Sequence, residues 1–87
     1  MSYPVRFEKS VEQKLEKLPA ADLPEIEAKL CEAVENPFYR VRRVRGRKHQ
    51  GFRLGAGDYR ILFQVDSKNS ELLVFDVDRR EKVYQQY

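Results

Sequence analysis

The spacing of hydrophobic residues changes near residue 40, and this change constrains the fold of the 87-residue chain more than any other feature. Before residue 40, Phe7, Val11, Leu15 and Leu18 recur at the three- and four-residue intervals of one helix face. After it, apolar and polar residues alternate through DYRILFQVD and ELLVFDVD, as they do in half-buried strands. The chain therefore combines a helical half with a strand half.

The first half predicts one short strand and two helices. The segment YPVRF alternates like a strand, and the apolar stripe that follows predicts a helix over residues 8–17, ended by Pro19. A second helix begins at Asp22 and Glu25, which have the spacing of a capping box. Its apolar stripe consists of Ile26, Leu30 and Val34. Because the break between the helices is short, we expect a helical hairpin with one shared apolar face.

The second half predicts three or four antiparallel strands. In YRVRRV, either Val41 and Val44 both point inward or a bulge splits the strand. The turn GAGD joins GFRL to DYRILFQVD, and DSKNS leads to a last strand. On that strand we expect Leu73, Phe75 and Val77 to share one face. The predicted fold is α+β with the order β-α-α-β-β-β, a single domain over residues 1–87 whose helical hairpin packs on a small antiparallel sheet.

Positive charge is concentrated in the second half of the chain. Residues 1–39 carry five basic and eight acidic side chains, and residues 40–87 carry twelve basic and six acidic ones. The run RVRRVRGRKHQ contains no carboxylate and lies between predicted elements, which argues against a disordered tail. Because guanidinium groups bind phosphates well, we expect this run to contact nucleic acid, although each arginine alone could be a solvated strand-edge residue. The residues are Arg40, Arg42, Arg43, Arg45, Arg47 and Lys48.

Other features bound the class of protein. The single cysteine, Cys31, excludes an internal disulfide and favours a cytoplasmic protein, and its helical context predicts a buried or half-buried structural residue. No apolar run is long enough to cross a membrane, and the start MSYPVRFEKS lacks a secretory pattern. Paired histidines or carboxylates of a conventional ribonuclease are missing from the sequence. We expect neither a metal nor another cofactor.

Four segments resemble successive blocks of the RelE/ParE superfamily, the toxins of type II toxin–antitoxin systems: SVEQKLEKLP, ENP, GFRLGAGDYRILFQVD and VDRREKVY. The resemblance spans almost the whole chain in order and implies the same fold. The tail RREKVYQQY is more similar to RelE proteins, which cut messenger RNA on the ribosome, than to ParE proteins, which poison DNA gyrase. It implies a ribosome-dependent mRNA endonuclease that a cognate antitoxin neutralises in a heteromeric complex. The alternatives are a ParE-like gyrase inhibitor and a catalytically inactive RNA-binding relative.

The resemblance also implies roles for individual basic residues. Arg60 of DYRIL matches the arginine that contacts the scissile phosphate, and Arg80 of RREK matches the second phosphate-stabilising arginine. Arg53 of GFRL matches the first basic residue of its strand. Together these residues would stabilise the transition state of metal-independent cleavage by the ribose 2′-oxygen. Two neighbouring cations are expected to bind RNA, Arg79 and Lys82.

A tyrosine takes the role of the base in this resemblance. Tyr84 matches the terminal tyrosine of the family, and Tyr87 could serve instead. Since a tyrosine has a reference pKa near 10, it needs nearby cations to become a useful base. Two positions depart from the family pattern: Gly55 stands where a second basic residue is common, and Asp78 stands where many relatives have histidine. A carboxylate at position 78 could tether an arginine.

Overall fold

Five strands and three helices follow one another in the part of the chain that the structure describes. The computed structural model describes residues 3–38, 41–45, 50–66 and 68–86, without the side chains of residues 44, 45, 50 and 84–86. The elements are β1 (Val5–Phe7), α1 (Lys9–Lys17), α2 (Leu23–Glu35), β2 (Arg42–Arg45), β3 (Gln50–Ala56), β4 (Tyr59–Asp66), β5 (Glu71–Arg79) and α3 (Arg80–Gln86). The predicted α+β class is confirmed, and one strand more than the order β-α-α-β-β-β contains follows the helices, together with the additional helix α3.

The strands form one sheet in the order β1-β5-β4-β3-β2. Strands β2 to β5 are antiparallel neighbours, as predicted, and β2 pairs with β3 without a register shift. Strand β1 instead runs parallel to β5, from Val5 opposite Leu72 to Phe7 opposite Val74, which makes the sheet mixed rather than wholly antiparallel. Because this pairing ends at Val74, α1 rather than a strand lies beside the rest of β5 in the described structure.

Helices α1 and α2 pack on one face of the sheet and enclose the main core. The predicted inward face of β4 is confirmed, because Tyr59, Ile61 and Phe63 are buried and Val65 packs against them. Val41 also packs against this core. The buried members of the core are Val11, Ile26, Leu30, Ala33, Leu54, Ala56, Tyr59, Ile61, Phe63, Leu72, Val74 and Val77.

The prediction that Leu73, Phe75 and Val77 share one face of the last strand is wrong. The register between β4 and β5 shifts between Leu62 and Phe63, whose partners are Asp76 and Val74. Phe75 is the extra residue in this bulge, so the strand changes phase there. The core therefore takes Leu72 and Val74 before the bulge and Val77 after it. A strict period of two does not reveal such an insertion.

The capping box predicted at Asp22 does not form. Asp22 precedes α2 but makes no capping hydrogen bond, and its carboxylate accepts a 2.7 Å hydrogen bond from the hydroxyl of Tyr59 instead. This bond, together with burial and the negative charge of Asp22, raises the pKa of Tyr59 above its ordinary value of 10.0. The side chain thus ties the short 3-10 turn Ala20–Asp22 to the start of β4.

Helix α2 exposes its cysteine. Cys31 is exposed, so the expectation of a buried or half-buried residue is wrong. The helix buries Ile26, Leu30 and Ala33, and position 31 lies about 100° around the axis from Leu30.

Within the described residues, the structure has no helix with the length and apolar character needed to span a membrane.

A second hydrophobic cluster lies on the other face of the sheet. Leu62 and Phe75 point away from α1 and α2, and Val83 of α3 packs on them with 1% of its surface exposed. This contact fixes α3 beside the end of β5. The sequence does not indicate this helix, because Val83 alone among the described side chains of VDRREKVY is buried against Leu62 and Phe75.

Candidate functional site

Arg53 and Arg60 lie on the sheet face turned away from α1 and α2. Their neighbours Leu54 and Ile61 are buried in the main core, and successive side chains of a strand point to opposite faces. Arg53 stands opposite Leu62, and Arg60 stands opposite Gly55. The two arginines are therefore diagonal neighbours across the β3–β4 hairpin. We call this surface the arginine face.

Strand β2 divides the predicted basic run between the two faces. Arg42 stands opposite Arg53 and so belongs to the arginine face, where it is exposed. Arg43 stands opposite Phe52, a residue that packs on the main core, and so lies on the other face. The remaining members of the run cannot be assigned to a face: Arg45 has no described side chain, and Arg40, Arg47 and Lys48 lie outside the described residues.

The guanidinium group of Arg60 is held close to the β3–β4 turn. Its Nη1 donates to the carbonyl oxygen of Tyr59 at 2.9 Å and to that of Gly57 at 3.3 Å. Gly57 has a φ of 61°, the left-handed conformation that a glycine adopts without strain. The side chain also lies over Gly55, where a Cβ would be 3.3 Å from Nη1. Arg60 is thus positioned by backbone carbonyls and half-buried.

Helix α3 brings Arg80 to the end of the hairpin. The backbone N–H of Arg80 donates to the carbonyl oxygen of Asp58 at 2.9 Å, and the side chain is exposed. Val83 anchors the helix on the arginine-face side of the sheet, and Lys82 is exposed. Position 84 follows Arg80 by about one helical turn. The predicted Tyr84 has no described side chain, and Tyr87 lies outside the described residues.

Arg79 does not share a face with Arg60. It stands opposite Tyr59, and its guanidinium lies 5.6 Å from the centre of the Tyr59 ring, on the face that carries the main core. Arg79, which was expected to bind RNA as a neighbour of Arg80, therefore lies outside the arginine face. Strand β5 ends at Arg79 and α3 begins at Arg80. Of the two arginines, Arg80 is therefore the one beside the arginine face.

The arrangement suits the binding of a phosphodiester. Arginine side chains stay charged at all relevant pH values and match phosphate oxygens with paired donors. Arg53, Arg60 and Arg42 supply such groups from adjacent strands, and Arg80 adds one from α3. Over the described ranges, no three histidine, cysteine or acidic residues are grouped closely enough to bind a metal ion.

Comparison with known proteins identifies the fold. No family model matches the sequence, and no curated protein matches it. Among solved structures, a chain of the RelBE2 toxin–antitoxin complex from Mycobacterium tuberculosis is 25% identical with a TM-score of 0.81, over 92% of this chain and 100% of that one. The RelE–RelB complex from Pyrococcus horikoshii OT3 gives 25% identity and a TM-score of 0.76, over 92% of this chain and 97% of that one. The chain is a RelE-like toxin.

The isolated RelE toxin of E. coli has the same fold. It is 24% identical to this RelE-like toxin, with a TM-score of 0.74 over 97% of this chain and 93% of that one. The fold similarity thus extends over nearly the full length of both chains. It agrees with the resemblance seen in the sequence, which also covers almost the whole chain.

The RelE-like toxin has a charged cluster that the sequence analysis missed. Lys14 of α1 donates to Asp76 Oδ1 at 2.7 Å and to Asp78 Oδ2 at 3.2 Å, and Asp76 is only 5% exposed. Burial opposes the positive charge of Lys14, but the hydrogen bonds and charges of the two carboxylates outweigh it and raise the lysine pKa above 10.5. Sixty-two residues separate Lys14 from Asp76, so no local pattern indicates the contact.

Proposed function

We propose that this RelE-like toxin is a ribosome-dependent mRNA endonuclease of the cytoplasm that inhibits translation until an antitoxin binds it. The observation that carries the proposal is the placement of Arg60. The strand register puts it beside Arg53 on the arginine face, and Arg80 begins the helix at the end of the same hairpin. These are the positions at which the family resemblance expects the phosphate-binding arginines.

The proposed reaction is cleavage of a phosphodiester by its own ribose. The 2′-oxygen loses its proton to a base and forms a bond to phosphorus, and the bond from phosphorus to the 5′-oxygen breaks as that oxygen gains a proton. The products carry a 2′,3′-cyclic phosphate and a 5′-hydroxyl. The arginines would act on the phosphorane between these steps, where one well-placed donor is worth about 3–4 kcal/mol by analogy with oxyanion sites.

A tyrosine is the base that removes the proton of the 2′-oxygen in this proposal. Tyr84 is the first candidate, because its position follows Arg80 by about one helical turn, and Tyr87 is the second. A cationic neighbour favours the ionised phenol and so lowers the pKa of a tyrosine. Arg80 and Lys82 are the cations of α3 that would act in this way, and Lys82, like Arg42, would also bind the RNA backbone.

An antitoxin partner follows from the same comparison. Several structural neighbours are toxin–antitoxin complexes, and one is an E. coli RelE variant bound to a peptide of the antitoxin RelB. The chain has a net charge of +3, and the half that forms the arginine face carries most of its basic residues. An acidic antitoxin segment would be attracted to this surface by charge complementarity. We propose that it covers the arginine face and excludes RNA.

The test uses purified protein and a translating ribosome programmed with a defined mRNA. We expect new 5′ ends within the translated region for the wild type, and loss of these ends for Arg60→Ala. Arg6→Ala is the matched control, because Arg6 lies on β1 about five strand residues from the level of Arg60, roughly 16 Å away. An mRNA with a single 2′-deoxy nucleotide at the cleavage position should remain intact.

Three outcomes would contradict the proposal. Intact mRNA in this assay, together with growth arrest of cells that produce the protein, would point to a target other than mRNA, such as gyrase. Salt-dependent RNA binding without any product would indicate an RNA-binding relative that lacks the chemistry. Cleavage of the 2′-deoxy substrate would contradict the attack by the 2′-oxygen.

A further inference from the structure

Two carboxylates lie beside the arginine face. Asp78 stands opposite Arg60 across the β4–β5 pair, and Asp76 stands opposite Leu62. Side chains of directly opposed residues have Cβ atoms about 4.5–5.5 Å apart, which brings a carboxylate and a guanidinium within reach of an ion pair. Without a competing cation, Asp78 would be an anionic partner for Arg60 directly across the strand pair.

Lys14 supplies that competing cation. Its Nζ lies 2.7 Å from Asp76 Oδ1 and 3.2 Å from Asp78 Oδ2, and the other oxygen of Asp78 accepts from the backbone N–H of Arg79 at 2.8 Å. Arg60 makes no ion pair with Asp78 in the described structure and donates to backbone carbonyls instead. The carboxylates are therefore occupied, and the guanidinium of Arg60 is not paired with them.

The fold explains how a helix on one side of the sheet reaches these carboxylates. In the described structure, the pairing of β1 with β5 ends at Val74, and α1 contacts β5, where Asp76 and Asp78 follow. Val11, one turn before Lys14, is buried in the main core with 1% exposure and fixes the helix at this edge. Lys14 is thus a fixed part of the scaffold.

We propose that Lys14 is a positioning residue: it neutralises Asp76 and Asp78 and thereby leaves Arg60 available to an RNA phosphate. The inference rests on the proposed function, since it names what keeps that site cationic. It also explains how the chain accommodates aspartate at position 78 beside its phosphate-binding arginine. Replacing Lys14 by a neutral residue would leave two carboxylates that attract Arg60 and repel the phosphate.

The test compares variants that each remove one positive charge of α1, either from a lysine that contacts the two carboxylates or from a lysine that does not. Lys14→Met removes the cation from the carboxylates, whereas Lys17→Met removes an exposed cation from the same helix that makes no described ion pair. Adding Asp78→Asn to Lys14→Met removes the carboxylate that would capture Arg60. Because Asp76 is buried, a second series carries Asp76→Asn throughout, so that no variant leaves that charge unpaired.

The first readout is the affinity for a 2′-O-methyl RNA oligonucleotide, which cannot be cleaved. We expect Lys14→Met to bind about fivefold to tenfold more weakly, as loss of one nearby charge implies. Lys17→Met and Lys14→Met/Asp78→Asn should stay within about twofold of the wild type. Equal affinities of Lys14→Met and Lys17→Met in both series would overturn the inference.

The second readout does not require RNA. The Nε–H resonance of the Arg60 side chain should shift in Lys14→Met, as a new pair with Asp78 forms, and should return in Lys14→Met/Asp78→Asn. An unchanged resonance would overturn the inference even if the wild type cleaves mRNA. Conversely, a wild type that does not cleave would contradict the proposed function, while this resonance would still decide the role of Lys14.

Discussion

The guanidinium group of Arg60 lies over Gly55, so that a Cβ atom at position 55 would be 3.3 Å from its Nη1. The two residues stand opposite each other on β3 and β4. Glycine thus provides the space in which Arg60 lies and leaves the site with one cation fewer than the family pattern implies. The neighbours that such a Cβ would meet all belong to Arg60, so a side chain at position 55 would act on the site rather than on the core.

Substitution of Gly55 by lysine should strengthen RNA binding. The added ammonium would lie beside Arg60 on the arginine face, and we expect about threefold to tenfold higher affinity for a 2′-O-methyl RNA. Gly55→Ala isolates the steric effect, since its Cβ meets only the flexible end of Arg60 and should change the free energy of unfolding by less than about 1 kcal/mol. Equal affinities of the lysine and alanine variants would contradict this expectation.

Truncation of Val83 should destabilise the protein and loosen α3. Val83 is 1% exposed and packs on Leu62 and Phe75, so Val83→Ala leaves a cavity and should cost about 2 kcal/mol in urea denaturation. Glu81→Ala, on an exposed position of the same helix, serves as the control. Since α3 also carries Arg80, the valine variant should cleave less mRNA at temperatures where the sheet remains folded. A variant as stable as the control would contradict the packing of α3.

The bond between Tyr59 and Asp22 predicts a pH-dependent contribution to stability. The folded-state pKa of Tyr59 is raised above 10.0, so the contribution is complete below that pH and is lost as the pH rises through the folded-state pKa. Tyr59→Phe should lower the free energy of unfolding by a constant amount between about pH 7 and pH 9, and the difference should shrink above about pH 10. Tyr3→Phe removes a hydroxyl without a described hydrogen bond and should have little effect. A difference that persists unchanged at pH 11 would refute this account.

The hydrogen bonds of Asp66 should contribute to stability with the opposite dependence on pH. Its carboxylate accepts from the side chain of Asn69 at 2.8 Å and from the backbone N–H groups of Asn69 and Lys68, and these bonds hold its pKa below 3.8. The contribution to stability is therefore complete above about pH 4 and is lost as the pH falls through the lowered pKa. Asp66→Ala should be less stable than the wild type at neutral pH, and the two should converge at low pH. Equal stability at pH 7 in urea denaturation would argue against this turn.

The sequence predicts most of the fold because its hydrophobic residues recur regularly, every three or four residues in the helices and every second residue in the strands. The stripe through Val11 and Leu15 and the alternation through Tyr59, Ile61 and Phe63 each mark a buried face, and both are found in the main core. The extra residue Phe75 breaks the alternation of β5 without a local signal. The predicted capping box at Asp22 was wrong for a related reason. The Asp22 carboxylate accepts a hydrogen bond from Tyr59, which lies far from it in the sequence but close to it in the fold.

The site is predictable where strand register alone decides it. Arg53 and Arg60 follow from alternation on either side of a tight turn, and the structure places them on one face. Arg79 was expected to bind RNA with them, but it continues β5 and lies over Tyr59, whereas the next residue begins α3. The contact of Lys14 with Asp76 and Asp78 depends on where β1 ends, which no spacing within the sequence indicates.

The most direct test of the account is to map mRNA 5′ ends in growing cells after brief induction of the wild type, Arg60→Ala and Arg6→Ala. Western blots would establish equal amounts of the three proteins. The account predicts new ends inside translated regions together with growth arrest for the wild type and for Arg6→Ala, and neither effect for Arg60→Ala. Growth arrest with intact mRNA, or the same new ends in the Arg60→Ala variant, would contradict the proposal that this face cleaves RNA.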